Sequence, residues 1–99
     1  MFNNEMLEKL KGLKNQADDS KAKLENMRVE DEAGGGLVRV AMNGNRKLES
    51  IQINADLKSL EKEDLEDLIT VAISRVLDKV NDINEKEVMS SAQSLFPGM

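Results

Sequence analysis

The stretch Gly34-Gly35-Gly36-Leu37-Val38-Arg39-Val40-Ala41-Met42-Asn43-Gly44-Asn45-Arg46-Lys47-Leu48-Glu49-Ser50-Ile51-Gln52-Ile53-Asn54 decides the fold. It holds the only glycine cluster of the chain, and within it apolar spacing changes from helical to alternating. Asn43-Gly44 lies between two β-branched runs, and both residues tolerate the positive φ of a type I′ turn, so a hairpin is expected there. Val38, Val40 and Met42 fall on one face, with Leu37, Arg39 and Ala41 on the other. Ile51 and Ile53 share a face with Glu49 and Lys47, and Leu48 breaks that alternation, which places a bulge near it. One face can be buried against helix, and the second is mixed.

Before the glycines, Val29-Glu30-Asp31-Glu32-Ala33 reads as a short, charged edge strand whose acids deter edge-to-edge pairing. The expected sheet is therefore a three-stranded antiparallel meander over about 29–33, 37–43 and 46–54. Gly34 to Gly36 lack a following Lys-Ser/Thr and open no helix, so they read as turn geometry rather than a nucleotide loop.

Upstream, Met6, Leu10, Leu13, Ala17, Ser20, Leu24 and Met27 recur at spacings of four and three, a heptad seam that predicts one helix over about 2–28. The positions flanking that seam carry Lys9, Lys14, Lys21, Lys23 and Arg28 and no acid, whereas Glu5, Glu8, Asp18, Asp19 and Glu25 lie on the outer face. Two copies zipped along the seam would oppose Lys to Lys, so self-pairing is disfavoured and packing against the acidic second helix, of the same or a partner chain, is expected. The lysines either cover an intramolecular seam with their methylene stems or form a basic ridge for phosphate or an acidic helix.

Downstream, Glu61, Glu63, Asp64, Glu66 and Asp67 crowd a helix start, where carboxylates meet exposed N–H groups. Leu65, Leu68, Ile69, Ala72, Ile73, Val76, Leu77, Val80 and Ile83 then form a stripe wide enough to face more than one neighbour, in a helix over about 62–94. Pro97-Gly98 ends regular structure and leaves a mobile tail over 95–99.

The 99 residues form a single α+β domain with a modest core, for which oligomerisation is the usual remedy. There is no Cys and no His, which removes disulfides, thiolate and imidazole catalysis and the commonest zinc ligands. Carboxylate pairs such as Asp18-Asp19 and Asp64 with Asp67 sit on hydrophilic helix faces, and the serines have no histidine to activate them, so no enzyme is expected. Nothing in the sequence calls for a cofactor, a metal, a small-molecule substrate or a membrane span, and a cytoplasmic protein is expected. Net charge is −5, but residues 59–99 hold nine acids against four bases and the N-terminal third is slightly basic. Lys9, Lys14, Lys21, Lys23 and Arg28, with Arg39, Arg46 and Lys47 on the sheet and hairpin tip, are the candidate phosphate-contacting residues. Phe occurs only at positions 2 and 96, with no Trp or Tyr, so there is no stacking platform for single-stranded bases.

The order of a long N-terminal helix, a Gly-rich turn, Gly36-Leu37-Val38-Arg39-Val40 leading to Asn43-Gly44, then Ile51-Gln52-Ile53, Asp56-Leu57 and the helix entry Asp64-Leu65-Glu66-Asp67-Leu68, resembles the YbaB/EbfC family of nucleoid-associated DNA-binding proteins. Leu95-Phe96-Pro97-Gly98 is similar to that family's short tail. The resemblance implies a tweezer-like homodimer with duplex DNA between or along projecting helices, located at the nucleoid, and Arg39 matches a position commonly basic there. The alternative reading is a dimeric adaptor that engages another protein through its helix ends and tail, with DNA contact incidental.

Overall fold

Alternation in the mid-chain stretch builds the sheet, and the heptad and wide-stripe segments build the helices around it. The computed structural model describes residues 4–95. In chain order it has α1 (Asn4–Glu25), β1 (Arg28–Ala33), β2 (Val38–Asn43), β3 (Leu48–Ile53) and α2 (Lys62–Leu95). The expected helix start at residues 2–3 and the tail residues 96–99 lie outside the described residues, and Leu95, expected in that tail, is helical.

The strands pair antiparallel in the order β1-β2-β3. Gly34, Gly35 and Gly36 all have positive φ, between 65° and 94°, so the β1–β2 turn uses a backbone that L-residues rarely adopt. The second hairpin differs from the type I′ expectation. Gly44 is not at positive φ; the left-handed residue is Arg46, at φ 66°. The Arg46 N–H donates to the Asn43 carbonyl at 3.2 Å and the Asn43 N–H to the Lys47 carbonyl at 2.9 Å. Together these make a three-residue connection ending in a left-handed residue. Arg46 therefore belongs to the connection and Lys47 closes it, and β3 begins at Leu48 rather than near residue 46.

The bulge falls where Leu48 predicted it. Ala41 pairs with Ser50 but Met42 pairs with Leu48, leaving Glu49 as the extra residue. That insertion returns Leu48 to the face of Ile51 and Ile53, which lie opposite Val40 and Val38.

Helix α2 packs across β1 and β2. Ala72, Val76 and Val80, four residues apart, have no exposed surface and meet Val38, Val40, Met42 and Ala33 to form the core. Each fully buried valine contributes about 1.5–3 kcal/mol of hydrophobic stabilisation. The cover stops short of β3, where Leu48, Ile51 and Ile53 remain 41–46% exposed.

A 34-residue helix is about 50 Å long, so the C-terminal half of α2 projects past the sheet. The radius of gyration is 19.4 Å and the extents are 67 × 22 × 20 Å, against a radius of about 13 Å for a compact domain of this length. The molecule is an arm mounted on a small body.

Candidate nucleic-acid interface

Helix α1 ends three residues earlier than its heptads allow, because the β2–β3 hairpin takes its last carbonyls. The Gly44 N–H donates to the Leu24 carbonyl at 2.8 Å, and the Asn45 side-chain amide donates to the Lys21 carbonyl at 3.0 Å. The Leu24 carbonyl is one of the last four of α1, which have no partner within the helix, and it also accepts from the Met27 N–H at 3.2 Å. A Cβ on Gly44 would stand 2.6 Å from the Leu24 carbonyl oxygen. Glycine is required here by the close approach of α1. The Asn84 side-chain amide donates to the Gly44 carbonyl at 2.6 Å, so α2 closes the same junction.

From that junction α1 runs beside the projecting half of α2. Ser20 donates to the Glu87 carboxylate at 3.1 Å, which leaves Ser91 to donate to Ser20 across 2.9 Å. Lys23 Nζ pairs with the same carboxylate at 3.0 Å. The polar member of the heptad seam is thus the contact point between the helices. Lys23 and Ser20, in that order of weight, hold the Glu87 carboxyl below its usual range. Farther out, Met6, Leu10 and Leu13 are 40–47% exposed, so α1 meets α2 of its own chain only over part of its seam.

The eight candidate cations divide sharply once their partners are located. Lys47 pairs with Glu25 at 3.1 Å, Arg39 with Glu32 at 3.0 Å, and Arg28 with Glu30 at 3.1 Å and Glu49 at 4.0 Å. Arg46 Nε donates to Asn81 Oδ1 at 2.7 Å, reaching back to α2. With Lys23 held by Glu87, five of the eight are engaged. Lys9, Lys14 and Lys21, all exposed, form no ion pair among the described residues. Lys14 and Lys21 are seven residues apart and so lie within about 20° of one another around α1, whereas Lys9 sits on the opposite flank of the seam. The structure does not bring Arg39 or Arg28 to α1; both lie in the charged outer face of the sheet with Glu30 and Glu32.

The sequence matches the family model described as the YbaB/EbfC DNA-binding family over residues 1–95. The chain belongs to this family. Among curated relatives, a nucleoid-associated protein of Anaeromyxobacter dehalogenans strain 2CP-C is 40% identical over 98 residues, covering 95% of this chain and 93% of its own length. Another nucleoid-associated protein, from Flavobacterium johnsoniae, is 31% identical over 94 residues, 95% of this chain and 88% of its own. The fold is that of an uncharacterized Helicobacter pylori protein, HP0035, whose crystal structure superposes with a TM-score of 0.79 at 22% identity, over 91% of this chain and 97% of that one.

On this YbaB/EbfC scaffold, sequence reasoning missed three residues of the α1–hairpin junction. Glu25 read only as an outer-face acid, and neither Asn45 nor Asn84 was singled out. The signal was available for Asn45 alone, because an Asn beside a hairpin glycine offers an amide to whatever packs on the tip. No described group of three or more acids is arranged to hold a metal ion, and no described helix is long and apolar enough to cross a membrane.

Proposed function

We propose that this chain is a nucleoid-associated protein that binds duplex DNA as a homodimer, mainly through backbone phosphates contacted by Lys9, Lys14 and Lys21 on α1. The observation that carries the reading is that these three cations have no ion pair among the described residues on a helix that stands out from the body. Phosphate contacts of this kind position a protein without reading bases. The names of the Anaeromyxobacter and Flavobacterium relatives support the same reading.

Dimerisation is supported by the uncovered apolar face of β3. Leu48, Ile51 and Ile53 continue the buried face of β2, and β3 is also a sheet edge that pairs with no further strand among the described residues. A second protomer seated there would set two arms at a fixed angle.

Fluorescence anisotropy with a short mixed-sequence duplex across a salt series tests the proposal. Three lysines per protomer predict a slope of log affinity against log salt of about −5 for the dimer. Replacing all three by Gln should flatten it. No binding at low salt, or binding indifferent to that triple substitution, overturns the reading.

A second reading, a dimeric adaptor for another protein, is favoured by one feature: Val88 and Met89 on the projecting half of α2 are 68% and 64% exposed. Under it, deletion of residues 85–99 abolishes partner capture and leaves DNA binding and the dimer intact.

A further inference from the structure

The acid at the end of α1 occupies a position that a phosphate would suit. Glu25 presents its two oxygens to two different donors: Oε1 accepts from Lys47 Nζ at 3.1 Å, and Oε2 from the Asn45 side-chain amide at 2.7 Å. That amide is held by the Lys21 carbonyl, and the Asn45 backbone N–H by Asn43 Oδ1 at 2.8 Å, so the donors are oriented before any ligand arrives. The Lys21 ammonium adds its field, and Asn45, Lys47 and Lys21 together hold the Glu25 carboxyl below its usual range.

A carboxylate and a phosphodiester carry the same single negative charge and offer acceptor oxygens to the same donors. Resting on the DNA-binding reading above, we infer that the α1–hairpin junction is a further phosphate site, occupied in the free protein by Glu25, and that a DNA phosphate displaces this carboxylate to reach Lys47 and Asn45. Exposure separates this pair from Lys23–Glu87: Lys47 and Glu25 are 69% and 41% exposed, whereas Glu87 is 15% exposed and locked by Ser20. The equally exposed Arg28–Glu30 and Arg39–Glu32 pairs lie on the outer face of the sheet, away from α1. The junction also continues the flank of α1 that carries Lys14 and Lys21, both without an ion pair among the described residues. Glu25 thereby lowers the affinity of the free chain for DNA and limits the number of phosphates it neutralises.

The test compares wild type, Glu25→Gln, Lys47→Gln, the double variant and Asp18→Asn in the same anisotropy titration. Glu25→Gln keeps an acceptor for Asn45 and frees Lys47, so it should steepen the salt slope by about 0.9 per protomer and tighten binding about 8-fold per protomer at 0.1 M salt. Adding Lys47→Gln should erase that gain, while Lys47→Gln alone changes wild-type binding little. Asp18→Asn removes the same charge from α1 without releasing a cation, and should leave the slope unchanged. Equal gains from Glu25→Gln and Asp18→Asn, or a gain that survives loss of Lys47, overturn the inference while leaving the DNA-binding reading standing. Failure of wild type and Glu25→Gln alike to bind overturns both.

Discussion

Gly44 and Leu24, twenty positions apart, are in backbone contact: the N–H of one donates to the carbonyl of the other at 2.8 Å, and no side chain fits between them. This contact converts the hairpin tip into the cap of α1. The angle at which the arm leaves the body is set there, with Asn84 of α2 closing on the Gly44 carbonyl.

Gly44→Ala should therefore act on the arm and spare the sheet. Its Cβ would lie 2.6 Å from the Leu24 carbonyl oxygen and 2.9 Å from the Leu24 Cα and Cβ, all parts of a helix terminus that cannot rotate away. Overpacking of this kind costs about 1–3 kcal/mol. Gly35→Ala is the comparison, since open space surrounds it and its cost comes from φ 66° alone. Hydrogen exchange should show lost protection in α1 for Gly44→Ala and none specific to α1 for Gly35→Ala; uniform loss in both would show that α1 is not seated by Gly44.

These residues also mark where the sequence was legible. The alternation of Val38, Val40 and Met42 and the four-residue spacing of Ala72, Val76 and Val80 state directly which faces are buried, because each pattern is local to its element. Even the Glu49 bulge was visible as a break in alternation at Leu48. The role of Gly44 was not visible, because it depends on Leu24, and the left-handed residue is Arg46, whose side chain gives no sign of it. For the candidate site, charge identified eight cations; which ones are engaged depends on Glu25, Asn81 and Glu87, brought near only by tertiary packing.

Acid should loosen the arm and the β1–α2 contact together. The Glu87 carboxyl is held below its ordinary 4.5 by Lys23 and Ser20, and that of Asp31 below its ordinary 3.8 by the Glu32 N–H and then by Lys79. A carboxyl with a depressed folded-state pKa stabilises the fold fully above its unfolded value, and that contribution is lost as pH falls through the folded one. Thermal unfolding followed by circular dichroism should change little from neutral pH down to about 5 on account of these groups and fall below it. Glu87→Gln combined with Asp31→Asn should lower stability at neutral pH and flatten the acid limb. An acid limb unchanged in that variant would assign the loss to other carboxylates.

Ile51 offers a test of assembly that leaves the core alone. It lies opposite Val40 on the face that α2 leaves uncovered, and 42% of its surface is exposed. Ile51→Glu should keep the far-ultraviolet spectrum of the folded chain, because the site is already open to water in one protomer. In the proposed dimer it would bury a charge without a partner, at a cost of several kcal/mol. Light scattering should report a dimer for wild type and a monomer for the variant; a dimer in both would move the interface away from β3.

The other edge of the sheet is protected by a different device. Sequence reading assigned that duty to the acids of β1, yet the structure adds two cations from α2. Arg75 donates to the Glu32 carbonyl at 2.9 Å and Lys79 to the Glu30 carbonyl at 3.1 Å, occupying acceptors that another strand would otherwise use. Lys79 also pairs with Asp31 at 3.1 Å, which ties the same edge to the helix. Arg75→Leu with Lys79→Met keeps much of the apolar stem of each side chain and removes both donors. The expected result is a loss of about 1–3 kcal/mol in urea unfolding, from two lost hydrogen bonds, and a mass that rises with protein concentration as bare β1 edges pair. Adding Asp31→Asn to that variant should restore part of the lost stability, because the amide keeps an acceptor for the Glu32 N–H while the charge left without Lys79 is removed, but it should not reverse the association, since the edge carbonyls stay uncovered. If the double variant remains at the wild-type mass at every concentration, the acids of β1 protect the edge without help from α2.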